Sequence, residues 1–292
     1  MIQRFRALLS PADERTGIGF TAHYTSQVWV RNGLSHPALS SRTGRALHAL
    51  LAAPMWAGRN LLGISDLDTY LLQRHILMDF LMDRAVEQGA AQVLEVASGL
   101  SPRGFRFMAR HGGRLRYVEA DLPAMAARKR DLLSRAGLLS PGHVVAEADA
   151  LAQGGETSLE KVAERHLDPS RPVIVVTEGL VNYFDFATMT AMWERIGRIL
   201  SRFPWGLYLA DFVPDHGDPV SHALVKAGAA LMARTTGAHS WLHFPSDADA
   251  EHTFRDLGFS RARVHAPESW SRFLPLPRSR RKSFIRVLAA ET

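Results

Sequence analysis

The stretch from residue 91 to 213 constrains this chain most. Five short apolar runs occur there: AQVLEVAS (91–98), LRYVEAD (115–121), GHVVAEAD (142–149), RPVIVVTEG (171–179) and WGLYLADFV (205–213). Between them lie segments of helical character: PRGFRFMARHG (102–112), PAMAARKRDLLSRAG (123–137), ETSLEKVAERHL (156–167) and FATMTAMWERIGRILSRF (186–203). Short apolar strands alternating with helices predict a mostly parallel sheet covered on both faces. A further helix is expected at about 66–88, capped by Ser65 or Asp66 and ended by Gly89. Leu67, Leu71, Leu72, Ile76, Phe80 and Leu81 form its apolar stripe. After the fifth strand, DPVSHALVKAGAALMARTTG (218–237) reads as an inserted helix and SDADAEHTFRDLGF (246–259) as another. SRARVHAP (260–267) and KSFIRVLAAE (282–291) are expected to close the sheet as two strands. Residues 1–60 show no sustained period and read as irregular, with SHPALSSRTG (35–44) as a loop.

Composition removes several classes of function. The 292 residues include no cysteine, which excludes disulfides, thiolate metal sites, cysteine nucleophiles and cysteine-ligated iron–sulfur clusters. No apolar run reaches the roughly 18 residues of a membrane span. The start, MIQRFRALLSPADERTG, lacks the apolar core and cleavage site of a signal peptide, so the cytoplasm is the expected compartment. The net charge is +6, and only four of the 35 basic residues, at 129, 161, 226 and 282, are lysine. That arginine excess has two readings: a coding bias, or a surface that attracts an acidic partner such as a carrier protein. Apart from RSRRK (278–282) the basic residues are scattered, without the stripe and aromatic platforms of a nucleic-acid binder.

In an open α/β sheet, ligands bind beyond the carboxyl ends of the strands. Those ends carry Ser98-Gly99, Glu119 and Asp121, Glu147 and Asp149, Glu178-Gly179, and Asp211. A row of acids suits hydroxyl and amine recognition better than phosphate. Asp121, at the end of the second strand, is placed to accept hydrogen bonds from ribose hydroxyls; capping the helix that begins at Pro123 is its other reading. The first turn, A-S-G-L-S-P-R-G (97–104), lacks G-x-G-x-x-G, and Pro102 removes an amide donor that a diphosphate would use. Arg103 stands where a G-x-S-x-G nucleophile elbow needs glycine. A phosphate-free adenosyl cofactor, S-adenosylmethionine (SAM), fits better than NAD or FAD.

Four motifs carry a family resemblance. QVLEVASGLSPRGFRF (92–107), YVEADLPAMAARK (117–129), VVAEADAL (144–151) and VIVVTEGLVNYF (173–184) resemble, in order and spacing, the leucine carboxyl methyltransferase family, which includes bacterial SAM-dependent O-methyltransferases of polyketide pathways. The resemblance covers about residues 70–200. It implies a Rossmann-like class I methyltransferase fold: a seven-stranded, mostly parallel sheet with helices on both faces and an N-terminal helical lid. Residues 1–65 would form the lid and substrate segment, and 66–292 the methyltransferase domain, with an insertion at about 214–245. It implies that Arg74 pairs with the SAM carboxylate, that Gly99 lets the methionine part approach, and that Asp121 holds the ribose. Asp149 and Ala150 would line the adenine, and Glu178 would face the methionine amino group or the sulfonium. Tyr183 and Phe184 have two readings, an aromatic wall or loop packing. The family's turn is commonly G-A-G-L-D-T-R, so Ala97 and Ser101 are departures. TAHYTSQVWV (21–30) loosely resembles the family's first helix through Thr21-Ala22.

The expected activity is O-methylation of a carboxylate or hydroxyl on a small metabolite or peptide. A protein C-terminal carboxylate and a non-catalytic adenosyl-binding scaffold are the alternatives. A hydroxyl acceptor needs a base within hydrogen-bond reach. Tyr24, Tyr183 and His216 are the catalytic candidates, with His23, His222, His239 and His243 behind them. The spacing of His216 and His222 is not that of zinc ligands, and no metal is expected.

Overall fold

A computed structural model describes residues 18–61, 67–215, 223, 240–279 and 281–292. Their elements run in the order α1 (Ile18–Arg31), α2 (Arg42–Leu61), α3 (Leu67–Glu87), β1 (Gln92–Val96), α4 (Arg103–His111), β2 (Arg116–Asp121), α5 (Pro123–Arg135) and β3 (His143–Glu147). There follow α6 (Leu159–His166), β4 (Val173–Thr177), α7 (Phe186–Leu200), β5 (Gly206–Phe212), α8 (Asp247–Asp256), β6 (Arg261–His265) and β7 (Arg286–Glu291). The seven strands form one sheet in the order β3-β2-β1-β4-β5-β7-β6. The first five pair in parallel, and β7 lies antiparallel between β5 and β6.

The central strands β1, β4 and β5 are apolar on both faces because both faces are covered. Leu94, Val96, Val173, Val175, Tyr208 and Ala210 pack with α6, α7 and α8. Their alternating neighbours Val93, Ile174, Val176, Leu207 and Leu209 pack with α3 and α4. This two-residue alternation follows from the pleat of a strand. Helix starts are local: Ser158, Asp185 and Ser246 each accept a backbone N–H in the first turn of α6, α7 and α8. Pro123 opens α5 with its φ already helical.

The N-terminal region departs from its reading as irregular. Residues 18–61 hold two long helices joined through a 3-10 turn at Pro37–Leu39. Every residue of α1 from His23 to Trp29 is buried, so no polar face marks the helical period. Helix α3 is likewise enclosed, between the sheet on one side and Tyr24, Val28, Trp29 and Leu47 on the other. Its most buried positions are His75, Leu77, Met78 and Met82 rather than the expected stripe, and Leu67 is exposed. Ser65, Asp66 and, apart from residue 223, the expected insertion helix at 218–237 lie outside the described residues. Among the described residues no helix is long and apolar enough to cross a membrane.

Candidate functional site

The chain leaves β1 toward β2 on one side and returns to β4 on the other, so the strand order reverses there. A cavity of about 650 Å³ opens at the carboxyl ends of these strands. The strand ends contribute Ala97–Leu100, Asp121, Asp149–Leu151, Glu178–Gly179 and Asp211; α1 and α3 contribute Thr21, Tyr24, Trp29, Leu71 and Arg74. Arg74, Gly99, Asp121, Asp149, Ala150, Glu178, Tyr24, Tyr183 and Phe184 line one space. Glu119 and Glu147 do not. Glu119 is fully buried, with Lys129 Nζ 3.0 Å and His143 Nε2 3.5 Å from its carboxylate. That acid has a core role.

The turn after β1 is built tightly. Ala97 has φ +52°, the only positive φ of a non-glycine residue among those described, and Gly99 has φ +48°. A Cβ on Gly99 would lie 3.3 Å from Ala22 Cβ. The Gly99 N–H donates to Asp121 Oδ2 at 2.6 Å, and the Leu122 N–H donates to Oδ1 at 2.8 Å. Asp121 thus braces the turn and starts the loop into α5 while lining the cavity. Burial raises its carboxyl above the usual range, against the lowering effect of those two N–H groups. Ser101, at the position of the family's acid, accepts the Arg103 N–H through its hydroxyl at 3.2 Å and so supports the first turn of α4.

Arg74 is held by two strand-end carboxylates. Its Nε donates to Glu178 at 3.0 Å and its Nη1 to Asp211 at 2.8 Å. The Asp211 carboxylate also accepts the Gly179 N–H at 2.5 Å. Gly179 has φ +70°, and a Cβ there would sit 3.1 Å from Arg74 Nη2. Glu178 lines the cavity, yet both its oxygens are engaged by this chain's own groups. Oε1 meets Arg74; Oε2 accepts from Arg103 Nη2 at 2.6 Å and lies 3.0 Å from His75 Nδ1. Glu178 is thereby a hub that orients Arg74. Burial would raise its carboxyl, but Arg103, His75 and Arg74 outweigh burial and hold it well below the usual range.

Behind the hub lies a charge network that the sequence reading missed. Arg103, with no exposed surface, also donates to Asp79 at 2.7 Å and Glu95 at 2.8 Å. Arg106 joins Asp79 at 2.8 Å, and Tyr117 donates to Glu95 at 2.7 Å. The signal was present: Glu95 interrupts an apolar strand, and His75 and Asp79 fall inside the α3 pattern.

Of the catalytic candidates, Tyr183 donates its hydroxyl to Thr21 Oγ1 at 2.8 Å, and burial raises its pKa, so it is a neutral phenol tying α1 to the end of β4. Tyr24 donates to Asp68 at 2.6 Å. His23 is fully buried and does not line the cavity. His243 Nε2 lies 3.0 Å from the Val181 carbonyl oxygen, and its ring packs among Phe186, Trp193 and Phe244. It too stands apart from the cavity. His216, His222 and His239 lie outside the described residues.

The family model for leucine carboxyl methyltransferase matches residues 38–197, more than half of the chain. The chain belongs to the leucine carboxyl methyltransferase family. Among similar proteins, one from Parafrankia sp. (strain EAN1pec), named "Putative S-adenosyl-L-methionine-dependent methyltransferase", is 30% identical over 182 residues, 57% of this chain and 54% of its own. A protein of the same name from Mycolicibacterium paratuberculosis is 29% identical over 206 residues, 70% of this chain and 60% of its own. The matches thus span about half the length of these relatives. Among solved structures, a DUF574 family protein from Streptomyces avermitilis superposes with a TM-score of 0.62 at 15% identity, over 93% of this chain and 95% of its own. A methyltransferase-titled structure from Thermobifida fusca gives 0.60 at 16% identity, over 92% and 93%. At such identities these structures speak for the family's Rossmann-like fold.

Proposed function

We propose that this family member is a SAM-dependent O-methyltransferase acting on a small molecule. The observation that carries the reading is the Gly99–Asp121 pair at the switch point, facing a cavity ringed by acids. Asp121 and Asp149 line it without an ion-pair partner among the described residues, and acids suit ribose hydroxyls and an amine better than a diphosphate; Glu178 and Asp211 line it paired with Arg74. Gly99 and Gly179 leave space that a Cβ would fill. The residues present therefore fit the cofactor.

In this reading Asp121 holds the ribose with the lone pairs left over from Gly99 and Leu122. Asp149 and the backbone at Ala150 line the adenine; the Ala150 carbonyl is fixed by Arg195 Nη2 at 2.8 Å. Arg74, oriented by Glu178 and Asp211, meets the cofactor carboxylate. When bound, SAM supplies an electrophilic methyl group. The protein's share is alignment of the acceptor oxygen and exclusion of water by α1 and α3.

The test is calorimetry with S-adenosylhomocysteine. Binding at micromolar concentration, with no comparable binding of NADH, is expected. Absence of binding at high micromolar concentration overturns the reading.

A further inference from the structure

The cavity lining also includes an apolar set of side chains, different in chemistry from the strand-end acids. To it α1 and the start of α3 supply Thr25, Trp29, Leu67 and Leu71, while Phe284 and Ile285 come from the segment before β7. Among the described lining residues the cations are Arg74 and Arg128. The first is engaged by Glu178 and Asp211, and the second belongs to α5, beside the Asp121 turn. A carboxylate acceptor needs a cation or several donors when it leaves water. Among the described residues this apolar set offers neither. The cavity wall does offer one polar device.

Tyr24 lines the cavity and donates its hydroxyl to Asp68 Oδ1 at 2.6 Å. Met55 Sδ, at 3.3 Å, is the weaker acceptor. The other oxygen of Asp68 lies 3.0 Å from His48 Nε2, and the Tyr24 and His48 rings stack 5.8 Å apart with an interplanar angle of 17°. The three side chains come from α1, α3 and α2 respectively. Tyr24 is 4% exposed, whereas the Asp68 and His48 side chains reach 19% and 12%. The chain of groups therefore leads from the cavity wall toward solvent. Asp68 precedes Arg74 by six residues on one helix, about 9 Å along its axis.

We propose that Tyr24 and Asp68, with His48 orienting Asp68, form a proton relay for an apolar acceptor bearing a hydroxyl, a phenol in the first instance. This rests on the methyltransferase reading above and names its substrate class. The acceptor O–H donates to Tyr24 Oη. As the new C–O bond forms and the methyl–sulfur bond breaks, the acceptor proton passes to Tyr24 Oη and the Tyr24 proton passes to Asp68 Oδ1. The electron pair of the broken bond stays on sulfur, which becomes a neutral thioether. Asp68 ends as the neutral acid and releases its proton at its exposed edge. Tyr24 is the catalytic residue; Asp68 and His48 are positioning residues.

The experiment uses the whole chain and a matched pair of probes, 2-naphthol and 2-naphthoate, titrated into protein saturated with S-adenosylhomocysteine. Calorimetry is expected to show 2-naphthol binding at least about tenfold more tightly. Equal or tighter binding of 2-naphthoate, or binding of neither probe, overturns the proposal. Failure of S-adenosylhomocysteine itself to bind instead removes the methyltransferase reading. Methylation of 2-naphthol is then compared with that of the far more acidic 4-nitrophenol in Tyr24→Phe, with Asp68→Asn as the second variant should the first not fold. At about pH 8.5, where 4-nitrophenol is almost wholly ionised and 2-naphthol is mostly neutral, a loss of about 100-fold or more with 2-naphthol is expected, the lower range of general-base effects, with a loss of less than about threefold for 4-nitrophenol. Equal losses for both phenols would reduce the trio to a structural pin, and no loss for either would exclude it from the reaction.

Discussion

Gly99 and Asp121, 22 residues apart in sequence, are joined by a 2.6 Å hydrogen bond from the glycine N–H to the aspartate carboxylate. This bond crosses the gap between β1 and β2 and makes one unit of two neighbouring strand ends. The two readings of Asp121 from sequence, ribose acceptor and local cap, thereby merge. The side chain does cap a loop, at Leu122, while it braces the turn that faces the cavity.

Asp121→Asn is expected to injure both jobs. An amide presents an NH₂ to either the Gly99 or the Leu122 N–H, two donors face to face. A buried donor left without a partner costs about 1–3 kcal/mol. Asp121→Asn should lower the melting temperature and weaken S-adenosylhomocysteine at least tenfold, read by thermal denaturation and calorimetry. Wild-type affinity in Asp121→Ala would remove the ribose assignment.

Ala97 accounts for itself in the opposite direction. A left-handed φ of +52° costs an alanine about 1–2 kcal/mol relative to a glycine. Glycine returns about 0.4–1 kcal/mol of that through the entropy of the unfolded chain. Ala97→Gly should therefore stabilise the protein by up to about 1 kcal/mol in urea denaturation, and Ala97→Val should destabilise it. A destabilised glycine variant would mean that the methyl group packs better than its backbone suffers.

The first five strands were legible because each is a short, mostly apolar run alternating with a helical segment, and the acids at their ends because strand ends are countable. The N-terminal helices were not. Burial of α1 on all sides leaves Thr25, Ser26 and Gln27 inside, where a polar residue normally marks the outer face. Their hydrogen bonds are made elsewhere, Thr25 to the Thr21 carbonyl and Ser26 to the Leu39 carbonyl. In α2, Gly44, Pro54 and Gly58 read as breakers inside a continuous helix. The pairing of Asp79, Glu95 and Glu178 around Arg103 was hidden for a different reason. The partners lie 24, 8 and 75 residues from the arginine, and only the assembled sheet brings them within reach.

That network sets a large expected effect. Removing one member of a buried ionic cluster leaves uncompensated charge and typically costs about 3–5 kcal/mol. Arg103→Met strands Asp79, Glu95 and Glu178 together and should fall at or beyond the top of that range. Arg103→Lys should rescue little, since a single ammonium lacks the planar fork that reaches three carboxylates. Chemical denaturation of both variants checks this; a lysine variant of wild-type stability would refute the three-way assignment.

The carboxylates that share Arg74 should separate binding from folding in acid. Burial pushes Asp211 above the usual range, Arg74 offsetting it only in part, and burial raises Asp121 likewise. Glu178 and Asp79 are held low, because the arginines and His75 outweigh burial. For the lowered pair, stability is fully present above the usual carboxylate range and is lost as pH falls through their folded values. For the raised pair, the charged form costs the folded state stability, and that cost disappears as pH falls through the raised values. On acidification Asp211 and Asp121 therefore take up protons first, with the fold intact. Protonated Asp211 releases its hold on Arg74, and protonated Asp121 loses an acceptor. Between about pH 7 and about pH 3, S-adenosylhomocysteine affinity should decline before the melting temperature does, the fold failing only below the usual carboxylate range. Coincident loss of affinity and fold over one interval would show that the two pairs do not titrate in this order.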